Sequence, residues 1–376
     1  MKYRIYLFLL LSISLLSCGG RQAPATGEQG DTLVFRHARL IEVVRHSNST
    51  EVNIRNPWKP GKMLHRYLLL PQGATADPQR RQGVTVVRVP LQRSVIFTSV
   101  HAALVAQLGA QEQVAGVADL KYIKVPFVQQ GVKNGTLMDC GDGMAPVIEK
   151  IIDAQADAIL LSPFENSGGY GRLEEIDIPL IECAEYMEQS PLARAEWMRF
   201  YGMLYGCEQM ADSLFAAVDS SYNALKQLAQ QTTAAPSVLM DKQTGTVWYV
   251  PGGRSTIGQM LSDAHCSYPF AADDHSGSLP LPFETILERS GQADYWLFRY
   301  DSNQPITRRQ LLSEQAGYAQ LRPVAQDQLY GCNVQTSMFY EESPFRPDLL
   351  LADFIAILHP ELKQLGQPRY YKKVEE

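Results

Sequence analysis

Two stretches of the chain share one order of residue types. They are PVIEKIIDAQADAILL, residues 146–161, and PFETILERSGQADYWLF, residues 282–298. Each begins with proline, soon reaches a glutamate, continues to Gln-Ala-Asp and ends in an apolar run. Proline is favoured in the first turn of a helix, and a short apolar run is typical of a buried strand. The sequence therefore predicts the same helix-then-strand unit twice, one in each of two α/β lobes.

The segments around these units also alternate between strand-like and helical patterns. Examples are VHAALVAQLGA at 100–110, a helix, and VAGVAD at 114–119, a strand. Such alternation favours βα units and a mainly parallel sheet. From Leu192 to Ala235 no proline interrupts a helical pattern whose apolar residues follow a three-four spacing. We therefore predict an α/β fold of two βα lobes with mainly parallel sheets, joined by one long backbone helix.

The N-terminal lobe is preceded by a signal-like segment and a tether. Lys2 and Arg4 are followed by an apolar run that is shorter than the ~20 residues needed to span a bilayer, which is typical of a secretory signal. Residues 32–70 alternate like strands, with a hairpin expected at a Pro-Gly turn. The predicted parts are a lipoprotein signal peptide at 1–17, a flexible tether at 18–31, an N-terminal lobe at 32–190, a linking helix region at 191–232 and a C-terminal lobe at 233–376.

The signal ends in Leu-Leu-Ser-Cys, which resembles a bacterial lipobox. In such a motif the cysteine, here Cys18, becomes the lipidated first residue of the mature protein. A simple signal peptide with a chance cysteine is the alternative. We expect a periplasmic body that touches a membrane only through its N-terminal lipid, and the sequence leaves open whether that is the inner or the outer membrane.

Composition excludes several classes of function. The net charge of −6 is mild and basic residues do not cluster, so nucleic acid is not an expected partner. No phosphate loop, dinucleotide fingerprint or GxSxG motif is present, so we predict neither an enzyme nor a cofactor. The histidines and the cysteines beyond Cys18 lack metal-ligand spacing, so no resident metal site is predicted. We expect these cysteines to be buried and free, with at most one disulfide: Cys140, Cys183, Cys207, Cys266 and Cys332.

Four segments resemble class III periplasmic substrate-binding proteins of the iron-chelate, haem and cobalamin type, which serve ABC importers. In chain order they are RSVIFTSVHAALVAQLGAQEQVAGVAD, PVIEKIIDAQADAILL, PFETILERSGQADYWLF and YEESPFRPDLLLADFIAILHPEL. Together they cover roughly residues 85–365, and Ala156 stands where the family usually has proline. The resemblance implies an extracytoplasmic binding lipoprotein with a ligand cleft between its two lobes. Such a protein captures an iron chelate (siderophore or haem) or a corrinoid and delivers it to a permease. A cobalamin- or cobinamide-specific protein is the alternative.

In that family, a glutamate from each lobe docks into basic pockets of the permease. Glu149 and Glu284 stand at the matching positions, one in each repeated unit. Two separated carboxylates would fix the orientation of a basic partner more than the affinity for it. The alternative is that each acid merely benefits from the dipole at a helix start.

Ligands of α/β proteins collect at the carboxyl ends of strands, and the loops expected there are rich in aromatic residues and contain some cations. Aromatic walls suit large flat ligands, and cations suit anionic chelates. A structural role remains open for Arg254, a surface position for Tyr170, and a capping or core role for His101. The ligand-binding candidates are Trp248, Tyr249, Arg254, Tyr170, Tyr186, Phe164, His101, Tyr300 and Phe339.

Two readings from other classes stay open at this point. A chelatase-like enzyme or a nitrogenase-like fold could use the same two-lobed scaffold. A surface lipoprotein could pass its ligand to another receptor, in which case Glu149 and Glu284 would be replaceable without loss of uptake. We expect a monomer in all of these cases.

Overall fold

The structure is a computed structural model that describes residues 30–75, 82–165 and 169–376. The predicted signal peptide and Cys18 therefore lie outside the described residues. The first described unit is a five-stranded sheet in the order β1-β2-β3-β4-β5, antiparallel except for the parallel pair β4-β5. Its strands are β1 (Asp31–Leu33), β2 (Ile41–Arg45), β3 (Thr50–Arg55), β4 (Met63–Pro71) and β5 (Thr85–Val89).

The hairpin predicted at the Pro-Gly turn joins β3 to β4, and Gly61 there has a φ of 77°, which favours glycine. Carboxylates from beyond the sheet hold its first loop. Glu196 accepts hydrogen bonds from the backbone N–H groups of residues 36–38, and Glu188 accepts those of residues 39 and 40. The sheet is thereby fixed to the segment that links the lobes.

The N-terminal lobe is built on a parallel sheet in the order β12-β11-β6-β7-β8. Its strands and the small antiparallel pair β9-β10 are β6 (Ser94–Ile96), β7 (Val114–Val117), β8 (Met138–Asp139), β9 (Gly141–Asp142), β10 (Ala145–Pro146), β11 (Ala158–Leu161) and β12 (Leu180–Glu182). The helices between them are α1 (Ser99–Gln107), α2 (Pro126–Asn134) and α3 (Ile148–Asp153).

The predicted helical stretch between the lobes consists of three helices, α4 (Pro191–Glu196), α5 (Met198–Tyr205) and α6 (Glu208–Ala229). Gly206 ends α5 with a φ of 69°, a conformation that a side-chain-bearing residue adopts only with strain. The long helix of the prediction is therefore α6, which has 22 residues and packs against α5 and the last helix of the chain.

The C-terminal lobe has a four-stranded sheet in the order β13-β17-β18-β19, parallel except for β19, and a small antiparallel sheet β14-β15-β16. The strands are β13 (Val238–Met240), β14 (Gln243–Thr244), β15 (Val247–Pro251), β16 (Ser278–Leu281), β17 (Tyr295–Tyr300), β18 (Leu329–Asn333) and β19 (Tyr371–Lys373). The helices are α7 (Thr256–Asp263), α8 (Phe283–Ser290), α9 (Arg308–Glu314), α10 (Arg322–Ala325), α11 (Phe339–Glu342) and α12 (Pro347–Leu358).

Both repeated sequences form the predicted unit. The first gives α3 and then β11, the second gives α8 and then β17, and each strand lies between two parallel neighbours. The prediction of two α/β lobes with mainly parallel sheets is confirmed. The lobes also touch directly, because α1 packs against α11. Tyr201 of the linking helix α5 adds a contact to the C-terminal lobe, with its ring centroid 5.7 Å from that of Phe345.

Three further observations concern only the described ranges. No helix there has both the length and the hydrophobicity to cross a membrane. The cysteines at 140, 183, 207, 266 and 332 are all free. Among the same residues, no three His, Cys, Asp or Glu side chains are placed to hold a metal ion.

Candidate functional site

Two neighbouring cavities lie where the lobes meet. One, of about 350 Å³, is lined by residues that follow β13, β17 and β18, including Asp241 and Val334. The other, of about 220 Å³, is lined by α1, α4, α7, α11 and α12. Arg299 and Tyr340 line both. Lys124 of the N-terminal lobe donates a hydrogen bond from Nζ to the backbone oxygen of Val334 at 3.0 Å. We call this pair of cavities the interlobe cleft.

Arg299, at the end of β17, is held by Asp241, which directly follows β13. Nε donates to Oδ1 at 2.8 Å and Nη2 donates to Oδ2 at 2.6 Å. Burial works against the charged guanidinium, but the Asp241 carboxylate outweighs it and raises the pKa of Arg299 above its ordinary value. The guanidinium also lies near the rings of Phe339 and Tyr340. Arg299 is thus a fixed, neutralised part of the cleft wall.

Arg194, in α4, lines the smaller cavity without such a partner. Its guanidinium makes no hydrogen bond or ion pair with any described residue, and its Nε is buried. Burial lowers the pKa of Arg194, while the more distant Glu185 carboxylate opposes that shift. A guanidinium remains charged in proteins, so the cavity contains a positive charge that is available to a ligand.

Large aromatic and apolar side chains are exposed around the cleft. On the C-terminal lobe, Tyr249 and Tyr340 are each 47% exposed. On the N-terminal lobe, Tyr122 follows β7, Met144 lies between β9 and β10, and Phe164 follows β11; all three are exposed. Lys124, close to Tyr122 in the chain, reaches the other lobe. We call these five side chains the rim residues; the three on the N-terminal lobe line neither cavity.

Several predicted ligand-binding residues lie in or beside the cleft. Tyr249 and Tyr300 line the larger cavity, and Phe339 lines the smaller one. Phe164 is exposed on the N-terminal rim, and Tyr186 donates a hydrogen bond to the oxygen of Pro163 next to it. Burial raises the pKa of Tyr186 to about 12, so its hydroxyl stays neutral.

Trp248 requires a correction, because it faces the core of the C-terminal lobe. Its Nε1 donates to the oxygen of Met240 at 2.9 Å, and its ring packs against Phe283, Trp296 and Tyr318. Successive residues of a strand point to opposite faces, so burial of Trp248 exposes Tyr249. The structure gives Trp248 a packing role.

Arg254 and Tyr170 line neither cavity of the cleft. The exposed Arg254 pairs with Asp274, Nη2 to Oδ1 at 2.7 Å. Tyr170 donates a hydrogen bond to Glu182 Oε1 at 2.7 Å, in a separate cavity beside the N-terminal sheet. Burial raises the pKa of Tyr170, so its hydroxyl is neutral there. Both side chains make structural contacts.

His101 lies behind the cleft wall and not on it. It is fully buried in α1, with Nε2 3.4 Å from Oε1 of the buried Glu185. Its ring centroid is 5.5 Å from that of Tyr201. The predicted core position of this histidine, given as an alternative to ligand contact, is the one that the structure shows.

Sequence reasoning missed Arg194, Arg299 and Tyr340. Arg299 and Tyr340 fall within loops that the pattern marks as candidates, but nothing local separates them from their neighbours. Arg194 stands in a helix-forming run, where an arginine ordinarily indicates a solvated face. Only the packing of α4 against α7 and α12 turns it toward a cavity.

Glu149 and Glu284 occupy equivalent surface positions in the first turns of α3 and α8. Hydrogen bonding of the carboxylate to its own backbone N–H and to Arg172 lowers the pKa of Glu149. Arg172 Nη2 lies 3.2 Å from its Oε1. The side chain of Glu284 is exposed and makes no hydrogen bond or ion pair with the described residues. The two glutamates therefore differ in how free they are to meet a partner.

Comparisons with known proteins agree with this architecture. A family model described as "Periplasmic binding protein" matches residues 95–336. An uncharacterized lipoprotein of Methanocaldococcus jannaschii is 23% identical over 92% of this chain and 86% of its own length.

Two solved structures share the fold at 17% identity. A periplasmic haem-binding protein of Pseudomonas aeruginosa has a TM-score of 0.57 over 76% of this chain and 99% of its own. A siderophore-binding protein of Vibrio cholerae, solved with Fe³⁺-Desferal, has a TM-score of 0.53 over 71% of this chain and 99% of its own. At such identities the likeness is one of fold.

Proposed function

The chain belongs to the periplasmic binding protein family, and from this premise we propose that it captures an anionic metal chelate and delivers it to an ABC importer. Proteins of this type bind small molecules and work with ABC transporter permeases. The proposed ligands are an iron–siderophore complex or haem first, and a corrinoid such as cobalamin or cobinamide second. The protein would bind and release its ligand without chemistry.

The unpaired guanidinium of Arg194 in the interlobe cavity carries this proposal. A buried charge without a partner costs free energy, and binding sites are places where such a cost is offset by a ligand. An acidic group of a chelate entering the 220 Å³ cavity would supply the missing carboxylate. Arg299 is a weaker candidate for binding a ligand anion, because its Nε and Nη2 already donate hydrogen bonds to the Asp241 carboxylate.

The rim residues support a ligand larger than the cavity itself. A macrocycle or ferric chelate would rest on the exposed Tyr249, Tyr340 and Phe164 while one acidic arm reaches Arg194. The names of the haem-binding and siderophore-binding relatives support the same ligand class.

Delivery to a permease is the second part of the proposal. Glu149 and Glu284 lie on the outer surface, one on each lobe, as a two-point docking contact with basic pockets would require. Lipidation of Cys18 would hold the protein, as a monomer, at the membrane next to the permease. The lipoprotein name of the archaeal relative supports the anchor.

A thermal-shift and absorbance panel on the protein without residues 1–18 tests the ligand. The panel contains haem, cyanocobalamin, cobinamide, several ferric siderophores, zinc and manganese. A ligand that binds only the folded state adds about 2.7 kcal/mol of stability at 100 times its Kd, so the correct chelate must raise Tm.

The matched control compares two arginines. Arg194→Gln should reduce the stabilisation to about a third at 100 times the parent Kd. Arg254→Gln should preserve it in full, because Arg254 pairs with Asp274 on the surface. If no chelate raises Tm, or if both variants retain the full shift, the proposed ligand class or site is wrong.

A further inference from the structure

A cluster of unpaired polar groups is sealed behind Arg194. His101 and Glu185 are both almost completely buried. Among the described residues, neither ring nitrogen of His101 has a hydrogen-bond partner, and Glu185 Oε2 also lacks one. Buried polar groups in folded proteins are nearly always paired, so several unpaired groups at one place require a physical reason.

Arg194 connects this cluster to the cleft. It lines the cavity of about 220 Å³, its helix α4 packs against the segment 185–187, and the charge of Glu185 acts on it. Glu185 in turn faces His101, with 3.4 Å between Oε1 and Nε2. The three side chains form a series from the cleft inward, which we call the Arg194–Glu185–His101 series.

Several ionisable groups surround the Arg194–Glu185–His101 series, and those next to it do not change charge near neutral pH. Burial raises the pKa of Cys183 and of Tyr201 well above their ordinary values, so both stay neutral. The helix α11 packs across α1 and carries the buried Glu341, whose charge is opposed by Lys124. Other ionisable groups on the packed elements are Glu188 and Glu196 before and on α4, Tyr186 beside Glu185, Arg199 and Tyr205 on α5, Glu112 in the turn after α1, and Tyr340 and Glu342 on α11.

Charge balance in this series depends on whether the cleft is occupied. Without ligand, Arg194 and Glu185 offset one another. A bound anion takes over Arg194 and leaves Glu185 as a buried negative charge without compensation, which is costly in a low-dielectric interior. A proton between His101 and Glu185 removes that cost, and histidine is the side chain that ordinarily changes charge between pH 5 and 8.

We propose that binding of an anionic ligand group at Arg194 is coupled to uptake of one proton by the His101–Glu185 pair. The proton comes from solvent and lies between Nε2 of His101 and Oε1 of Glu185. These two atoms are 3.4 Å apart in the structure, and the added proton would let them form a hydrogen bond. The coupling selects ligands that carry an acidic group, because that group binds together with the uptake of a proton by the protein. The affinity for such a ligand therefore rises as pH falls. This inference rests on the proposed function, and it concerns residues that do not touch the ligand.

The coupling can be tested without any ligand. Replacing Arg194 by glutamine removes the same positive charge that a bound anion would neutralise. In ¹⁵N-histidine NMR spectra recorded over a pH series on the folded protein, we expect the His101 signals of Arg194→Gln to change at higher pH than those of the parent. His101→Gln assigns the signal, and Arg254→Gln serves as the matched control and should leave the titration unchanged. An identical His101 titration in Arg194→Gln and the parent overturns the proposal.

A second measurement uses haem as the probe, titrated by absorbance between pH 6 and 8. Uptake of one proton predicts an affinity that falls up to about tenfold per pH unit as pH rises. Glu185→Gln should bind haem more tightly and with a flat pH profile, and His101→Gln should also give a flat profile. A parent profile as flat as that of His101→Gln overturns the coupling. If no member of the ligand panel binds while the NMR shift is present, the proposed function fails and the coupling stands.

Discussion

The two arginines of the cleft belong to regions that treat the same charge in opposite ways. At the carboxyl edge of the C-terminal sheet, Arg299 donates two hydrogen bonds to Asp241 and has little left for a ligand. In the linking region, Arg194 faces a cavity, and its guanidinium makes no hydrogen bond or ion pair with the described residues. The difference shows that a cationic side chain in a cleft can bind a ligand anion only if no carboxylate of the protein already pairs with it.

Substitution of Arg299 should produce the largest change in stability. Arg299→Met leaves Asp241 without its partner in a site where the carboxylate side chain is only 11% exposed. Removing one member of a fully buried pair costs about 3–5 kcal/mol, and the 29% exposure of Arg299 reduces that to about 2–4 kcal/mol. The free energy of unfolding in urea measures it.

The double variant Arg299→Met/Asp241→Asn is the control, since it removes both charges. It should recover more than half of the loss. If Arg299→Met is as stable as the parent, the pair is not the structural element described above.

Substitution of Arg194 should reverse that pattern. Arg194→Gln removes a charge that no described residue hydrogen-bonds, and the proposed proton at the His101–Glu185 pair then compensates Glu185 in its place, so the free energy of unfolding should change by less than about 1 kcal/mol. Its affinity for the chelate should fall roughly 30-fold, which corresponds to about 2 kcal/mol for a lost charge-assisted contact. Absorbance titration gives the affinity, and urea unfolding of the same sample gives the stability. A variant that loses stability but keeps affinity would contradict the comparison.

The neighbouring residues Trp248 and Tyr249 extend the comparison to aromatic side chains. Trp248→Phe removes ring volume and the hydrogen bond to Met240, and should cost about 1–3 kcal/mol of stability with no change in affinity. Tyr249→Ala should leave stability within about 0.5 kcal/mol and weaken chelate binding by about 0.5–1.5 kcal/mol. Absorbance titration and urea unfolding measure the two effects. Equal losses of affinity in both variants would place Trp248 in the ligand site.

Substitutions of the docking glutamates Glu149 and Glu284 should have the smallest effects, and these effects should be on the rate of chelate uptake. Glu149 is engaged by Arg172, whereas Glu284 is free, so Glu284→Gln should reduce chelate uptake by a few-fold and Glu149→Gln by less. Neither should change chelate affinity. Uptake by cells or vesicles with the cognate importer measures the effect, and Arg172→Gln is the control that frees Glu149. Unchanged uptake in the double variant Glu149→Gln/Glu284→Gln would remove the docking role.

Much of the fold could be predicted because its signals are local. The order of proline, isoleucines and apolar runs in 146–161 and 282–298 specifies a helix followed by a strand whatever surrounds it. The prediction of a long helix correctly identified α6 but extended too far, because the left-handed glycine at Gly206 looks like any other glycine in a helical pattern.

The candidate site was less predictable because it depends on which way side chains face. Trp248 and Tyr249 are equivalent as residues after a turn, and only the packing of β15 on the C-terminal core assigns one to the interior. His101 shows the same limitation, since a helix-start histidine can face a cleft or the core.

The sequence by itself determined the repeated unit, the two lobes, the class of the protein and the positions of Glu149 and Glu284. Periodicity and motif order are properties of the chain, so these conclusions needed no coordinates. Only the tertiary structure decided that Arg299 is neutralised, that Arg194 is available, and that His101 and Glu185 lie behind it. The reason is that the pairing of a charge depends on residues far away in the chain, which the fold brings within a few ångströms.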